Sequence, residues 1–161
     1  MEVIIRQAKP EEHETLTQIS FAAKKYWNYP QEYFDVWKDE LTISEDYVKD
    51  NSVFVAEADG EPTAYYSIVE VKQEFRAGKT KVEKGFWLEH MFVMPEYIGK
   101  GIGRAMYAHM KEHCRSKLID KLRIFADPYA KGFYEKMGAT YIKERPSSIE
   151  GRTVSLYLET L

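Results

Sequence analysis

The amino-acid sequence predicts a mixed α/β (α+β) fold in which helices cover the faces of a central sheet. Its apolar segments follow the order β-α-α-β-β-β-α-β-α-β-β, which combines hairpins with strand–helix–strand units. The chain has 161 residues, of which 44% are hydrophobic, and this is enough for one packed core. It contains no repeat, low-complexity tract or long linker. We therefore expect a single domain spanning residues 1–161.

The first half of the chain predicts a strand, two helices and a hairpin. Val3-Ile4-Ile5-Arg6 is a β-rich run, and Pro10 opens a helix with an acidic first turn. Pro30 ends that helix inside an aromatic segment, and a second helix is expected to continue towards Val48. Asp59-Gly60 predicts a tight turn between two strands, because both residues tolerate positive φ. These strands are expected at residues 53–56 and 64–71.

The second half begins with a basic loop at residues 76–84. The near-continuous apolar run from Phe86 to Met94 predicts a central strand that is buried on both faces. A helix is expected from Gly99 to about Lys117, followed by a strand at residues 122–126. Asp127 and Pro128 are the predicted N-cap and first residue of a last helix, which Gly138 ends. Two final strands are expected near residues 141–142 and 154–158.

Composition excludes several classes of protein. The formal net charge of −3 argues against a dedicated nucleic-acid binder, and no apolar run approaches the length of a membrane span. The first residues lack the pattern of a signal peptide, and the single cysteine, Cys114, suits a reducing compartment. We therefore expect a cytoplasmic protein with no nucleic-acid and no membrane partner. His109 and His113 are spaced as half a zinc site, but no third ligand accompanies them, so we expect no metal.

The segment that carries chemistry follows the predicted strand at residues 86–94. Gly99, Gly101 and Gly103 alternate with other residues after Pro95 and lead directly into an amphipathic helix. Such a turn can direct successive backbone N–H groups at one point, and the helix start adds partial positive charge. The pattern predicts a phosphate or pyrophosphate site, but a tight turn whose glycines serve only close packing is the alternative.

Two motifs together resemble the GNAT superfamily of acyl-CoA-dependent N-acetyltransferases. Val93-x-Pro95, followed by Gly101 and Gly103, is similar to the family's cofactor loop. The segment at residues 127–138 is similar to its second motif. Two positions depart from the family pattern, because Ile98 stands where Gln or Arg is usual and Asp127 where Asn is usual. The matching residues of the second motif are Ala130, Phe133, Tyr134, Lys136, Gly138 and Ala139.

The resemblance implies the GNAT fold, a mostly antiparallel sheet of about seven strands with about four helices, splayed at the strand of residues 86–94. It implies acetyl-CoA as co-substrate, no metal, and direct transfer of an acetyl group to a primary amine of a small molecule or peptide. A catalytically weak acyl-CoA-binding sensor or interaction module with the same fold is the alternative. The implied cofactor-binding residues are Phe92, Val93, Gly99, Lys100, Gly101, Ile102, Gly103, Arg104, Asp127, Ala130, Phe133 and Tyr134.

Two residues are candidates for proton transfer. Tyr134 matches the family's general acid, which protonates the leaving CoA thiolate. Glu89 lies four residues before Val93 on the same strand, so both side chains share a face. Burial in an apolar strand would suit Glu89 to the role of a base, whereas a structural ion pair is the alternative. His90, on the opposite face, is the second candidate base.

The resemblance implies an acceptor site beside the aromatic segment between the first two helices. Trp27, Tyr29 and Tyr33, together with Glu89, are the predicted substrate-binding residues. Their rings would favour a small amine with an apolar or aromatic body, or a cation held over a ring face. The loop at residues 145–152 would close the other side with arginines for a substrate carboxylate. Family members often pair through C-terminal strands, so a free edge at residues 154–158 predicts a homodimer.

Overall fold

The computed structural model describes all 161 residues and has nine strands and five α-helices. A 3-10 helix at Pro10–Glu12 precedes α1, and another at Pro95–Tyr97 precedes α4. None of the helices is long and apolar enough to cross a membrane. The helices are α1 (His13–Lys25), α2 (Gln31–Leu41), α3 (Glu45–Asp50), α4 (Ile102–Ser116) and α5 (Lys131–Lys136). The strands are β1 (Val3–Gln7), β2 (Ser52–Ala58), β3 (Glu61–Val71), β4 (Phe75–Ala77), β5 (Thr80–Val82), β6 (Gly85–Val93), β7 (Lys121–Ala126), β8 (Thr140–Pro146) and β9 (Thr153–Thr160).

Seven strands form one sheet in the order β1-β2-β3-β6-β7-β9-β8. β6 and β7 are parallel, whereas β1–β2, β2–β3, β7–β9 and β8–β9 are antiparallel pairs. The parallel pairing joins only Trp87 to Arg123 and Leu88 to Ile124, so residues 89–93 of β6 extend beyond it. The sheet is mixed and mostly antiparallel, which confirms the predicted fold class. The short pairing of β6 with β7 agrees with the predicted splay at this strand.

The chain divides into two compact units, and the single-domain expectation stays a prediction. The first unit comprises Met1–Ile68 and His90–His109, and the second comprises Val69–Glu89 and Met110–Leu161. In the first unit, the helical stripe of Leu16 and Ile19 joins Val53 and Val55 in one buried cluster. Alternate strand residues share a face, which explains why β2 contributes both valines. In the second unit, the same alternation buries Leu122, Ile124 and Ala126 of β7.

The predicted turn between β2 and β3 is confirmed, whereas one predicted helix is divided in two. Asp59 and Gly60 have φ of 50° and 86°, which confirms the predicted tight turn between β2 and β3. The expected helix towards Val48 is wrong in one respect, because α2 ends at Leu41 and α3 begins after Ser44. The Ser44 hydroxyl accepts a hydrogen bond from the Tyr47 backbone N–H at 3.0 Å, which caps a separate helix.

Three further expectations are corrected. The predicted basic loop contains the β4–β5 hairpin, which pairs Arg76 with Lys81. β6 is not buried on both faces, because Glu89 is exposed. The strand at residues 154–158 offers no free edge, because β9 lies between β7 and β8 in the sheet. The terminal strands of the sheet are β1 and β8, so the argument for a homodimer through residues 154–158 is wrong.

Candidate active site

The glycine turn between Pro95–Tyr97 and α4 has the conformation that an anion site needs. Gly99 and Gly101 have φ of 79° and 84°. The Gly101 carbonyl accepts the Ala105 N–H at 3.0 Å, so the first N–H groups of α4 follow directly after Gly101. An ideal Cβ added to either glycine meets no atom within 4 Å. Close packing therefore does not explain these glycines, whereas the positive φ does, and the space beside the turn is open.

The charges around this turn favour an anion. No acidic residue lies in the first turn of α4, whose start carries partial positive charge. Lys100 and Arg104 are exposed, and the Lys100 Nζ lies 5.6 Å from the centroid of the Tyr97 ring. Ile98 is 43% exposed and has no side-chain hydrogen-bond donor. The groups of this turn that can bind an anion are therefore the backbone N–H groups and the two flanking cations.

Residues 92–94, at the end of β6, contact other residues of the first unit. The Met94 N–H donates to the Thr63 carbonyl at 2.8 Å. The Phe92 ring is half-buried, with its centroid 5.5 Å from that of His90 and 6.0 Å from that of Tyr65. Val93 is also half-buried. Packing of the side chains therefore holds the backbone of residues 92–93 in place.

Glu89 and His90 have opposite environments, as the alternation along β6 predicts. Glu89 is exposed, so the burial that suited it to the role of a base is absent. His90 is only 4% exposed, and its ring centroid lies 6.1 Å from those of both Tyr47 and Tyr65. This aromatic enclosure separates His90 from solvent and makes it the weaker candidate for exchanging protons with an acceptor amine.

The segment at residues 127–138 begins with a turn. The predicted N-cap role of Asp127 is wrong, because α5 begins at Lys131 and Ala130 is its N-cap. Instead, Asp127 Oδ1 accepts the Tyr129 N–H at 3.2 Å and its carbonyl accepts the Ala130 N–H at 2.8 Å. Local side-chain bonding of this kind competes with helix formation and delays the helix. Gly138, at φ 97°, follows the end of the helix as predicted.

Tyr134 is held in the interior of the second unit. Its side chain is 6% exposed, and its ring centroid lies 5.3 Å from that of Phe133 and 6.2 Å from that of Tyr157. Burial, and secondarily the Asp127 carboxylate, raise the pKa of Tyr134, so the phenol keeps its proton at neutral pH. The Tyr157 hydroxyl donates a hydrogen bond to Glu135 of α5, which ties this short helix to β9.

The predicted acceptor residues fall into two groups. Tyr29 and Tyr33 are half-buried, with ring centroids 5.0 and 5.6 Å from that of Trp37. Trp27 is 37% exposed, and its ring meets that of Tyr26 edge-on at 4.7 Å. Lys24, which was not predicted, is a further member of this cluster, because its Nζ lies 4.3 Å from the centroid of the Trp37 ring. No local pattern in the sequence marks it, because its contact with Trp37 joins α1 to α2.

The arginine expected to hold a substrate carboxylate is engaged elsewhere. Arg145 makes a bidentate ion pair with Glu83, in which Nη2 lies 2.8 Å from Oε2. Its Nη1 also donates to the Lys81 carbonyl at 2.8 Å. The guanidinium lowers the pKa of the Glu83 carboxyl mainly through this hydrogen-bonded pair. The expectation for Arg145 is therefore wrong, because it anchors the β5–β6 connection to β8.

The two histidines of α4 lie apart from any cluster of metal-ligating side chains. No group of three or more His, Cys, Asp or Glu side chains could hold a metal ion. His109 Nδ1 instead lies 2.7 Å from the Tyr66 hydroxyl, and burial lowers the pKa of His109.

Comparison with known proteins agrees with this geometry. The family model described as acetyltransferase (GNAT) family matches residues 14–139. The chain belongs to the GNAT acetyltransferase family. A search of curated proteins finds no match.

Solved structures share this GNAT fold over the whole chain. PaiA N-acetyltransferase from Thermoplasma acidophilum, in complex with coenzyme A, is similar with a TM-score of 0.78, 19% identity and 100% coverage of both chains. A GCN5-related N-acetyltransferase from Rhodopseudomonas palustris has a TM-score of 0.77 and 17% identity, covering 100% of this chain and 97% of that chain. The ribosomal-protein-S18-alanine N-acetyltransferase from Escherichia coli has a TM-score of 0.69 and 16% identity, covering 99% and 94%.

Proposed function

We propose that this GNAT acetyltransferase moves the acetyl group of acetyl-CoA directly to a primary amine of a small molecule. The observation that carries the proposal is the glycine turn, whose positive φ angles leave open space and backbone N–H groups before α4. The family match supports acyl transfer, and the coenzyme A complex of the Thermoplasma acidophilum relative supports the choice of co-substrate.

Three parts of the chain would bind acetyl-CoA. The N–H groups of residues 99–104, with Lys100 and Arg104, would take the pyrophosphate. The backbone near Phe92 and Val93 would pair with the pantetheine arm, because β6 extends beyond its pairing with β7. Asp127, Ala130, Phe133 and Tyr134 would contribute from the second motif. Ile98 removes one side-chain contact, so we expect weaker cofactor binding than a Gln or Arg would give.

The reaction also needs protons to be moved. An alkyl ammonium with a pKa of ~10.4 costs about 5 kcal/mol to deprotonate at neutral pH. Glu89 is exposed and would accept that proton through water. Tyr134 is protonated at neutral pH and would donate a hydrogen bond, and then its proton, to the departing thiolate.

The acceptor would lie against the aromatic segment. Trp27 presents an exposed ring, and Tyr29 and Tyr33 present partly exposed ones. These surfaces favour an amine with an apolar or aromatic body, because burying that body against rings stabilises the complex.

A two-part experiment tests the proposal. Calorimetry with CoA measures binding, and a thiol assay with acetyl-CoA and a panel of primary amines measures transfer. We expect CoA binding and amine-dependent thiol release. CoA binding without thiol release from any amine of a broad panel would favour the acyl-CoA sensor. Absence of CoA binding would contradict both the acetyltransferase and the sensor.

A further inference from the structure

The orientation of α5 depends on its contacts with the rest of the second unit. The helix has only six residues, and its N-cap, Ala130, makes no side-chain capping hydrogen bond. Helices shorter than about 12 residues are marginal without tertiary packing. Tyr134, the proposed acid, lies on this helix and is only 6% exposed. Whatever sets the rotation of α5 therefore also sets the position of the Tyr134 hydroxyl.

Tyr157 is a firmly placed residue beside this helix. It lies on β9 opposite Ile124 of β7 and opposite Tyr141 of β8, so strands on both sides pair with it. Its side chain is fully buried, and its ring meets the Tyr141 ring edge-on, with centroids 5.6 Å apart. Because a strand that is paired on both sides is held by two sets of backbone hydrogen bonds, Tyr157 is placed more firmly than α5.

Tyr157 contacts α5 at two consecutive residues. Its ring centroid lies 6.2 Å from that of Tyr134, with 35° between the ring planes. Its hydroxyl donates a hydrogen bond to the Glu135 carboxylate. Burial, and secondarily this bond, raise the pKa of Tyr157, so the hydroxyl remains a donor at neutral pH. Consecutive side chains on a helix point about 100° apart, so two such contacts restrict the rotation of α5 about its axis.

A small rotation of α5 is enough to disturb proton transfer. The tip of a tyrosine lies roughly 8 Å from the helix axis, so a rotation of about 10° moves the hydroxyl by more than about 1 Å. A displacement of that size lowers turnover by a factor of about 100, because a proton donor must stand within hydrogen-bond reach of the leaving group.

We infer that Tyr157 is a positioning residue for acetyl transfer: its hydroxyl, through Glu135, fixes the rotation of α5 and thereby holds the Tyr134 phenol in place. The inference rests on the proposed function, because that function makes Tyr134 the acid. It assigns to Tyr157 an effect on kcat in addition to the anchoring of α5 to β9.

A merely structural role for Tyr157 makes a different prediction. Loss of its hydroxyl would then lower stability and would slow the enzyme by the same factor whether or not the Tyr134 hydroxyl is present. A positioning residue acts only through that hydroxyl. The effects of the two residues should therefore fail to multiply, and a double-mutant cycle measures this failure.

The test measures kcat and the KM for acetyl-CoA in the wild type, Tyr157→Phe, Tyr134→Phe and the double variant. We expect Tyr157→Phe to lower kcat about 10–100-fold with little change in KM, because both rings stay in place and only the donor is lost. In the Tyr134→Phe background, the same change should lower kcat no more than about twofold. Equal factors in the two backgrounds, or an unchanged kcat in Tyr157→Phe, would overturn the inference.

Tyr66→Phe is the matched control. Tyr66 is also fully buried, and its hydroxyl lies 2.7 Å from His109 Nδ1 in the first unit, so this variant also loses a phenol hydrogen bond. We expect wild-type kcat in Tyr66→Phe. A fall in kcat equal to that of Tyr157→Phe would indicate a general response to lost stability and would count against the inference. If Tyr157→Phe does not fold, Glu135→Ala, which removes the acceptor of the same bond, takes its place in the cycle.

A second measurement does not depend on turnover. The tyrosines are labelled with ¹³C at Cζ, and the NMR signal of Tyr134 is assigned by its absence in Tyr134→Phe. We expect this signal to move in the same direction in Tyr157→Phe and Glu135→Ala, because both remove the same bond, and to stay in place in Tyr66→Phe. A Tyr134 signal that stays in place in all three variants would refute the inference. If no amine is acetylated, the proposed function fails, while this spectrum still decides whether the bond between Tyr157 and Glu135 orients Tyr134.

Discussion

Replacing Gly101 by valine tests the anion site at the residue on which it depends most. At φ 84°, a β-branched residue is strained by about 1–3 kcal/mol, which lowers the free energy of unfolding by that amount. No internal clash adds to this cost, because a Cβ at this position meets no atom within 4 Å. The new side chain would instead fill the space beside the N–H groups.

The effect on affinity follows from the hydrogen bonds that would be lost. A hydrogen bond to a charged group contributes about 1.5–3 kcal/mol, so losing one weakens CoA binding about 10–150-fold. Isothermal titration calorimetry measures this change, and thermal unfolding shows that the variant is folded.

Gly60→Val is the matched control for Gly101→Val. Gly60 has φ 86° in the β2–β3 turn, and an added Cβ there also meets no atom within 4 Å. The two variants should therefore lose similar stability, while only Gly101→Val loses CoA affinity. A folded Gly101→Val protein with wild-type affinity would show that CoA binds elsewhere.

Four further variants test the catalytic and structural assignments. Tyr134→Phe should lower kcat about 10–1000-fold with little change in CoA affinity, and wild-type turnover would exclude Tyr134 as the acid. Glu89→Gln should lower kcat about 100–10,000-fold at neutral pH, and wild-type turnover would exclude Glu89 as the base. Tyr157→Phe removes the donor to the Glu135 carboxylate, so we expect the free energy of unfolding in urea to fall by about 1.5–3 kcal/mol, and no change would refute that anchor. Because burial lowers the pKa of His109, the unfolded chain binds more protons below about pH 6.5, and stability falls as the pH drops through that range. His109→Gln should lose part of this acid sensitivity in urea unfolding at several pH values, and an unchanged pH dependence would contradict its origin in His109.

The sequence predicts best those elements that local chemistry specifies. The Asp59-Gly60 turn could be predicted because both residues adopt the positive φ that the turn requires. The break between α2 and α3 was not predicted, because the buried Trp37, Leu41 and Val48 are spaced by four and seven residues and continue one helical stripe. The extended Thr42 and the Ser44 cap decide it, and neither Pro nor Gly marks the place.

The candidate site could also be predicted only in part. The glycine turn could be predicted because its residues specify backbone conformation directly. Strand alternation placed Glu89 and His90 on opposite faces, but it could not show which face packing would cover. The Arg145–Glu83 pair spans 62 residues of sequence, and Lys24 reaches Trp37 on the next helix. Such contacts depend on tertiary packing, which local patterns do not encode.

Acetyl transfer is measured most directly by incubating the protein with acetyl-CoA and a panel of primary amines, and following N-acetylated product by mass spectrometry together with free CoA thiol. We expect product and thiol to form in equal amounts and to fall sharply in Gly101→Val and Tyr134→Phe. If a folded protein that binds CoA forms neither acetylated product nor free thiol with any amine, the assignment of this GNAT family member as an amine acetyltransferase is contradicted.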